Sequence, residues 1–430
     1  MTGLRPRVGV TPRWWPRAAR LAGALSVLTV TGLWWHNENR TPGQLAGLLA
    51  ADLLLLQVLL MARVPLVERS FGQDTLARWH RWTGFASFLL LLAHILLATL
   101  TYAAAVLSYP GVLLATAGTA ALVLVVVTSV RRARRRLRYE RWHLLHLYAY
   151  AGIGLALPHL LWTEPDPVAR AYWQGLCLLA AGSVLVFRIA VPLGRTLRHR
   201  LVVDEVVPEA HGLVSVHFRG RELDRLPVRA GQFFVWRFLD GHGWSRGNPF
   251  SLSGPPHGDR LRITVKSLGD GSARVTRLTP GTRVLIEGPY GRLTAESYRG
   301  GPVTMLACGV GITPLLALLW DLPYGHNQAT LLYRARHAHE VAFLDEIEWL
   351  AGRRGVRLVP LIGPRARPGS WLPAEYAGYS DAAALRELAP DIAGHDLYVC
   401  GPDAWTDTVR TAARAAGVPA ARIHRERFSW

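Results

Sequence analysis

Cysteine is scarce in this chain: Cys177, Cys308 and Cys400 lie far apart, and none belongs to a CxxC pair. Three scattered thiols exclude a four-cysteine iron–sulfur cluster within the chain and offer no disulfide framework. Acidic residues are few in the first half, where most of the +19 formal charge falls. A basic excess could point to nucleic acid, but these arginines stand between apolar runs, which is the pattern of membrane orientation. Lysine is nearly absent beside arginine, a bias of little functional weight. No EF-hand loop or other cytosolic switch motif is present. No small-residue cleavage site follows the first apolar run, so that run reads as a span and not as a signal peptide.

Long hydrophobic runs are what the sequence has in abundance. Of 430 residues 50% are hydrophobic, and they crowd the first 195 or so. A helix of about 20 apolar residues crosses a bilayer, and six candidates occur, at about 18–35, 43–63, 80–104, 111–130, 142–162 and 168–193. Arginines gather before the first, between the second and third, and in "RRARRRLRYER" before the fifth. The alternate loops "HNENRTPGQ", "TYAAAVLSYPG" and "TEPDPVAR" are nearly free of positive charge. This alternation puts both ends of the chain in the cytoplasm and makes lipid, not nucleic acid, the partner.

Two spans carry histidines at matched intervals. His80 and His94 are fourteen residues apart, about 21 Å along a helix and only about 40° short of four full turns, so they share a face. The fifth span carries His146 and His159, about 20 Å apart. Both helices run in the same direction, so His80 matches His146 in depth and His94 matches His159. Two facing imidazoles at each of two depths suit bis-histidine haem iron, and ionisable groups inside a membrane are costly and usually functional. The thirteen-residue interval falls about 140° short of four turns; Gly152, Gly154 and Pro158 are expected to allow a local distortion. Asp52, mid-way along the second span, is either a proton site or a hydrogen-bonded bundle residue.

These segments, with "HRWTG" and "HLLHLYAY", resemble the ferric reductase and NADPH oxidase superfamily, whose membrane domain is a six-helix haem bundle. The resemblance implies that His80, His94, His146 and His159 bind two b-type haems.

After Arg195 short strands separated by Gly and Pro turns predict a small antiparallel β-barrel. From Gly301 a strand–helix–strand pattern predicts a parallel α/β sheet. The expected organisation is a transmembrane haem domain over 1–197, a flavin-binding β-barrel over 198–298 and a nucleotide-binding α/β domain over 299–430. Within the barrel "RGNPFSLSGPP" resembles the isoalloxazine motif of the ferredoxin–NADP reductase superfamily, spanning Asn248, Pro249, Phe250, Ser251 and Leu252. The resemblance implies that Phe250 lies against the flavin and Ser251 bonds near its N5. That superfamily usually has Arg or His where Asn248 stands, and Arg246 is close enough to substitute. In "VKSLGDGSARV", Lys266 supplies positive charge, while Gly271 and Ser272 open a helix whose N–H groups suit a pyrophosphate. Similar segments in that superfamily contact FAD, and "EGPYG" is a landmark of it.

The second dinucleotide site begins where a strand runs into Gly309 and Gly311 and a helix opens near Thr313 and Pro314. "YVCGPDAW" resembles the nicotinamide-side motif, which implies Cys400, Gly401 and Pro402 beside the nicotinamide, with Trp405 in place of the usual Met. In "LLYRARHAHE", Arg334 and Arg336 follow the second strand, with no acidic residue expected there for a ribose hydroxyl. Arginines can take a 2′-phosphate, so NADPH is preferred to NADH, although solvated surface charge explains them almost as well. The ending "IHRERFSW" resembles reductases whose terminal aromatic covers the flavin, and either Phe428 or Trp430 fits.

The combined expectation is an oxidoreductase passing electrons from cytoplasmic NAD(P)H through FAD and two haems to an acceptor on the outer face. Ferric chelate is the first choice of acceptor, oxygen (giving superoxide) the second, and a quinone or external protein the third. A non-enzymatic haem or redox sensor is the alternative of another class.

Overall fold

A computed structural model describes residues 14–37, 40–137, 139–210, 212–241, 246–267 and 269–426. They form two compact units divided between Ala190 and Val191.

The first unit is helical: α1 Trp15–His36, α2 Pro42–Met61, α3 Gln73–Tyr102, α4 Val112–Ser129, α5 Tyr139–Thr163 and α6 Pro167–Val184. Among the described residues five stretches are long and apolar enough to cross a membrane: Pro42–Met61, Gln73–Tyr102, Val112–Ser129, Arg141–Thr163 and Pro167–His199. The first predicted span is present as α1 but falls outside that set. Arg17 and Arg20 near its start and Trp34, Trp35 and His36 at its end dilute its hydropathy.

Capping fixes where these helices start. Thr41 accepts from the Gln44 N–H ahead of α2, and Asp166 accepts from the N–H groups of Val168 and Ala169 ahead of α6. Each is followed by proline at the first helical position, where no N–H is needed.

The helices pack as two close pairs, α2 along α3 and α4 along α5. Small residues set the α4–α5 spacing: a Cβ on Gly118 would stand 2.6 Å from the Gly152 carbonyl oxygen. Leu89, Leu96 and Leu100 of α3 are exposed, as expected of side chains that meet lipid.

The second unit opens with α7 Val191–His199, whose Thr196 hydroxyl accepts from the Ile286 N–H at 3.3 Å. Its residues therefore pack with the strands that follow. Those strands are β1 Val202–Ala210, β2 Leu213–Arg219, β3 Phe233–Phe238, β4 Asn248–Ser251, β5 Arg260–Lys266 and β6 Val284–Tyr290. They form two three-stranded antiparallel sheets, β1-β2-β5 and β4-β3-β6. Single bridges, Val202 to Arg283 and Leu252 to Ile263, link the two sheets. Both enclose one core, in which Phe218 stacks on Trp236 with ring centroids 4.5 Å apart.

The remaining strands are β7 Val303–Cys308, β8 Ala329–Ala335, β9 Arg357–Ile362, β10 Asp396–Cys400 and β11 Ile423–Glu426. They make one parallel sheet in the order β11-β10-β7-β8-β9. From β7 the chain winds outward through β8 to β9, then returns to place β10 on the other side of β7. Such a reversal opens a crevice at the carboxyl ends of the two central strands, where open α/β sheets bind ligands.

Candidate functional site

The four span histidines come together as two pairs. The rings of His80 and His146 have centroids 5.9 Å apart, and those of His94 and His159 are 6.4 Å apart. α5 stays a continuous helix with Pro158 inside it, so the expected distortion leaves no break, and both pairs still form.

Each ring is held through Nδ1. His94 Nδ1 lies 2.8 Å from the Gly43 carbonyl oxygen, His159 Nδ1 3.0 Å from that of Pro110, and His80 Nδ1 3.3 Å from that of Gln57. A carbonyl oxygen can only accept, so these three Nδ1 atoms carry the hydrogen and leave each Nε2 a free lone pair. His146 Nδ1 is 3.3 Å from the Ser129 hydroxyl, and that hydroxyl oxygen accepts from the Trp142 indole. Carbonyl partners of this kind fix the tautomer and orientation of a metal-ligating histidine.

The arrangement fits haem better than a bare ion. Two metal–imidazole bonds of about 2 Å each, plus the ring radii, need centroids roughly 6 Å apart, as both pairs have. Among the described residues no group of three or more His, Cys, Asp or Glu could hold a metal ion. Two protein ligands are too few for a bare transition ion but suffice for an iron whose other ligands come from a porphyrin.

Sequence reasoning missed these anchoring groups. Gly43, Gln57, Pro110 and Ser129 act through backbone or a short side chain, and only fourteen-residue spacing on α2 hints at them. Gln57 and Gly43 repeat, on the antiparallel neighbour, the interval between His80 and His94.

In the strand module the expected flavin residues line up on β4. Phe250 pairs with Phe234 on β3, and its carbonyl accepts from the Trp236 indole at 3.0 Å. Ser251 is buried, yet its hydroxyl has no hydrogen-bond partner among the described residues. A buried hydroxyl normally has one, so a bound polar group such as a flavin fits there. Asn248 turns its amide to the carbonyls of Trp236 and Arg246. Its Oδ1 would be 3.5 Å from a Cβ on Gly271, so the two flavin segments lie side by side. The short helix α8, Asp270–Val275, carries Ser272, whose hydroxyl bonds back to Gly269. Lys266 ends β5, and Leu252 is fully buried.

The residues expected at the nucleotide gather at the carboxyl ends of β7 and β10, which pair directly. A Cβ on Gly311 would collide with the Cys400 carbonyl and stand 2.8 Å from the Gly401 nitrogen. A Cβ on Gly401 would stand 2.8 Å from that of Cys308 and 3.1 Å from the Trp405 ring. Glycine is therefore required on both sides of the contact. Gly309 adopts a φ of +54°, a left-handed turn that glycine enters without strain.

Cys400 is fully enclosed in the cluster that also holds Ala230 and Leu293 of the strand module, while Cys308 packs with the cluster of Trp371 and Trp405. The two thiols thus occupy opposite faces of the sheet and are not placed to form a disulfide. Burial pushes the Cys308 thiol up to about 11 and that of Cys400 well above its ordinary value.

Several expectations need correction here. Thr313 and Pro314 are buried inside α9, Ile312–Asp321, and the Thr313 hydroxyl donates to the Val310 carbonyl at 3.0 Å. Their side chains are turned into the fold, where they shape the turn. Arg334 is buried, and its guanidinium donates to the carbonyls of Ala335, Leu361 (3.0 Å) and Gly363 (2.6 Å). It clamps the ends of β8 and β9 and leaves Arg336, which is exposed, as the arginine open to a phosphate. Nor is the loop free of acid: Glu340 accepts from the N–H groups of Arg336 and His337 at 3.0 and 3.4 Å. Pro402 caps α10, Asp403–Ala415. Phe428 and Trp430 lie outside the described residues.

Comparison with known proteins adds independent findings. Residues 46–157 match the family described as ferric reductase like transmembrane component, and residues 305–411 match the oxidoreductase NAD-binding domain. The ferredoxin reductase component of 3-ketosteroid-9-alpha-monooxygenase from Mycolicibacterium smegmatis is 33% identical over 55% of this chain and 67% of its own. A flavohemoprotein from Chromobacterium violaceum is 31% identical over 51% of this chain and 58% of its own. The chain thus spans roughly three-fifths to two-thirds of these relatives. Among solved structures, the FAD/NAD-binding domain of nitric oxide dioxygenase from Vibrio cholerae is 26% identical, with a TM-score of 0.43 over 54% of this chain and 99% of that one.

Proposed function

We propose, on the premise that this chain belongs to the superfamily joining a ferric reductase-like transmembrane component to a ferredoxin reductase-type FAD/NAD module, that it carries electrons across a membrane. The donor is cytoplasmic NADPH or NADH, and the acceptor, ferric chelate by preference, is reduced at the outer face. FAD, when bound, turns a two-electron hydride donor into a source of single electrons, and two b-type haems relay them.

The observation that supports this reading best is the double histidine pair, with three of its four rings held Nδ1-to-carbonyl. His80 and His146 would hold one haem, and His94 and His159 the other. In the second unit, the two three-stranded sheets would serve as the flavin barrel, where Phe250 would lie against the ring and the partnerless Ser251 hydroxyl would bond to it. The turn at Gly309, which Gly311 lets close on β10, would take the nucleotide backbone, and Cys400, Gly401 and Pro402 would stand at its nicotinamide end. Exposed Arg336 favours a 2′-phosphate. Alternation of arginine-rich and arginine-poor loops supports six spans, α1 among them, with the second unit in the cytoplasm.

Initial rates of NAD(P)H oxidation in proteoliposomes, with ferric citrate, oxygen or a quinone outside, test the reading. Sustained turnover with ferric citrate is expected. A chain without haem absorbance, or one that oxidises nucleotide only once, would leave the electron path without support and favour a sensor.

A further inference from the structure

Asp52 lies mid-way along α2 and exposes no surface. Its Oδ1 accepts from the Ser26 hydroxyl of α1 at 2.6 Å and from the Tyr172 hydroxyl of α6 at 3.2 Å. Those two hydroxyls are themselves 2.7 Å apart. The other oxygen, Oδ2, is buried and has no hydrogen-bond partner among the described residues. Val30, Leu48, Leu55, Trp173 and Ala180 form the apolar cluster at this junction.

Two features separate this junction from an ordinary hydrogen-bonded bundle contact. First, both donors serve one oxygen and leave the second bare, although buried carboxylates are stable only when paired and fully hydrogen-bonded. Among the described residues no arginine or histidine pairs with Asp52. Second, its depth is set by the histidines. Asp52 is five residues from Gln57, which holds His80, and nine from Gly43, which holds His94. Helix geometry puts it about 7.5 Å along the axis from the first and about 13.5 Å from the second, roughly half a turn round from both. It therefore lies between the two ring pairs in depth, on the opposite face of α2.

The groups around it are few. α1 offers Ser26, with Arg20 and Arg17 six and nine residues earlier. α6 offers Tyr172, with Cys177 about one and a half turns further on. The α5 residues of the same cluster, Ile153, Leu160 and Leu161, carry no charge, and the histidines of α3 meet the other face of α2.

We propose that Asp52, Ser26 and Tyr172 form a proton-binding site inside the membrane half, where Asp52 Oδ2 takes up a proton as an electron reaches the His80–His146 pair. The inference rests on the electron path proposed above. An electron from the nicotinamide nucleotide, delivered through the flavin, adds one negative charge in a medium that screens it poorly. One proton from the aqueous phase forms the Oδ2–H bond, so charge balances and nothing further is oxidised or reduced. Ser26 and Tyr172 act as positioning residues: they hold Oδ1 and direct Oδ2 to the proton.

The test uses the haem-loaded full chain in proteoliposomes. Asp52→Asn keeps the size and the accepting Oδ1 but cannot take a proton. The reduced-minus-oxidised infrared difference spectrum should contain a carboxylic acid carbonyl band that shifts in D2O, is lost in Asp52→Asn and moves in Tyr172→Phe. The reduction potential of the more cytoplasmic haem should fall with rising pH in the wild type, and this slope should flatten in Asp52→Asn and return in Asp52→Glu. A spectrum with no band removed by Asp52→Asn, or a slope unchanged in that variant, overturns the proposal. If the chain holds no haem, the electron path itself fails. An infrared pH titration of the same carbonyl then still reports whether Asp52 binds an exchangeable proton, so the two failures are told apart.

Discussion

Gly47 of α2 lies so close beneath the imidazole of His94 that a Cβ there would stand 2.6 Å from Nδ1. The ring, its carbonyl anchor at Gly43 and this bare backbone position form one unit: α2 both holds the ring and makes room for it. Gly47→Val should therefore push His94 off its carbonyl. Bound haem per chain, read by pyridine haemochrome, should fall by about half, with the His80–His146 haem retained. Gly23→Val is the control, because nothing lies within 4 Å of a Cβ at that position. Equal haem loss in both variants would place the effect in bundle folding instead.

Direct removal of a ligand gives the complementary expectation. His94→Ala or His159→Ala should lose one haem while NAD(P)H still reduces the flavin, because the residues of the second unit are untouched. Both haems persisting in these variants would sink the pairing.

The two arginines after β8 should now behave differently. Arg336→Ala should raise the KM for NADPH about tenfold or more and leave that for NADH nearly unchanged, since a charge-assisted phosphate contact is worth about 1.5–3 kcal/mol. Arg334→Ala should leave the NADPH/NADH ratio alone but destabilise the module by about 1–3 kcal/mol, because buried carbonyls of β8 and β9 lose their donor. Steady-state kinetics with both nucleotides and a thermal melt separate the two. A changed ratio in Arg334→Ala would restore it as a phosphate ligand.

Gly311→Ala tests the crevice. The added methyl meets backbone, not a flexible side chain, so β10 or the turn must move. FAD content should hold while stopped-flow flavin reduction by NAD(P)H slows by at least tenfold. An unaffected rate would mean that the nucleotide does not approach there.

Thiol chemistry offers a check that needs no variant. With Cys308 pushed up to about 11 by burial and Cys400 higher still, little of either is thiolate at neutral pH. Because these values are raised, the thiolate fraction of Cys308 should climb with pH across the whole range up to about 11. Peptide mapping after maleimide labelling should find Cys308 modified slowly at pH 7 and faster with each rise in pH, and Cys400 unmodified. Rapid labelling of Cys400 at pH 7 would contradict its enclosure.

What the sequence determined by itself is what depends on near neighbours along the chain. Hydropathy over some twenty residues located the helices, and the fourteen-residue interval put His80 and His94 on one face, because helix period and rise are local properties. The change from span to strand texture near Arg195 fell, for the same reason, close to the division between the two units at Ala190 and Val191. The tertiary structure decided whatever depends on which segments become neighbours. Arg334 read as an open cation until β9 brought the Leu361 and Gly363 carbonyls to it. Gly311 was a motif glycine until β10, nearly ninety residues later, set the Cys400 carbonyl where its side chain would be. Asp52 was an isolated acid until α1 and α6 supplied Ser26 and Tyr172 to one of its oxygens and nothing to the other. Hydrogen bonds and close backbone contacts act over about 3 Å, and only the folded chain brings residues separated by tens of positions within that reach.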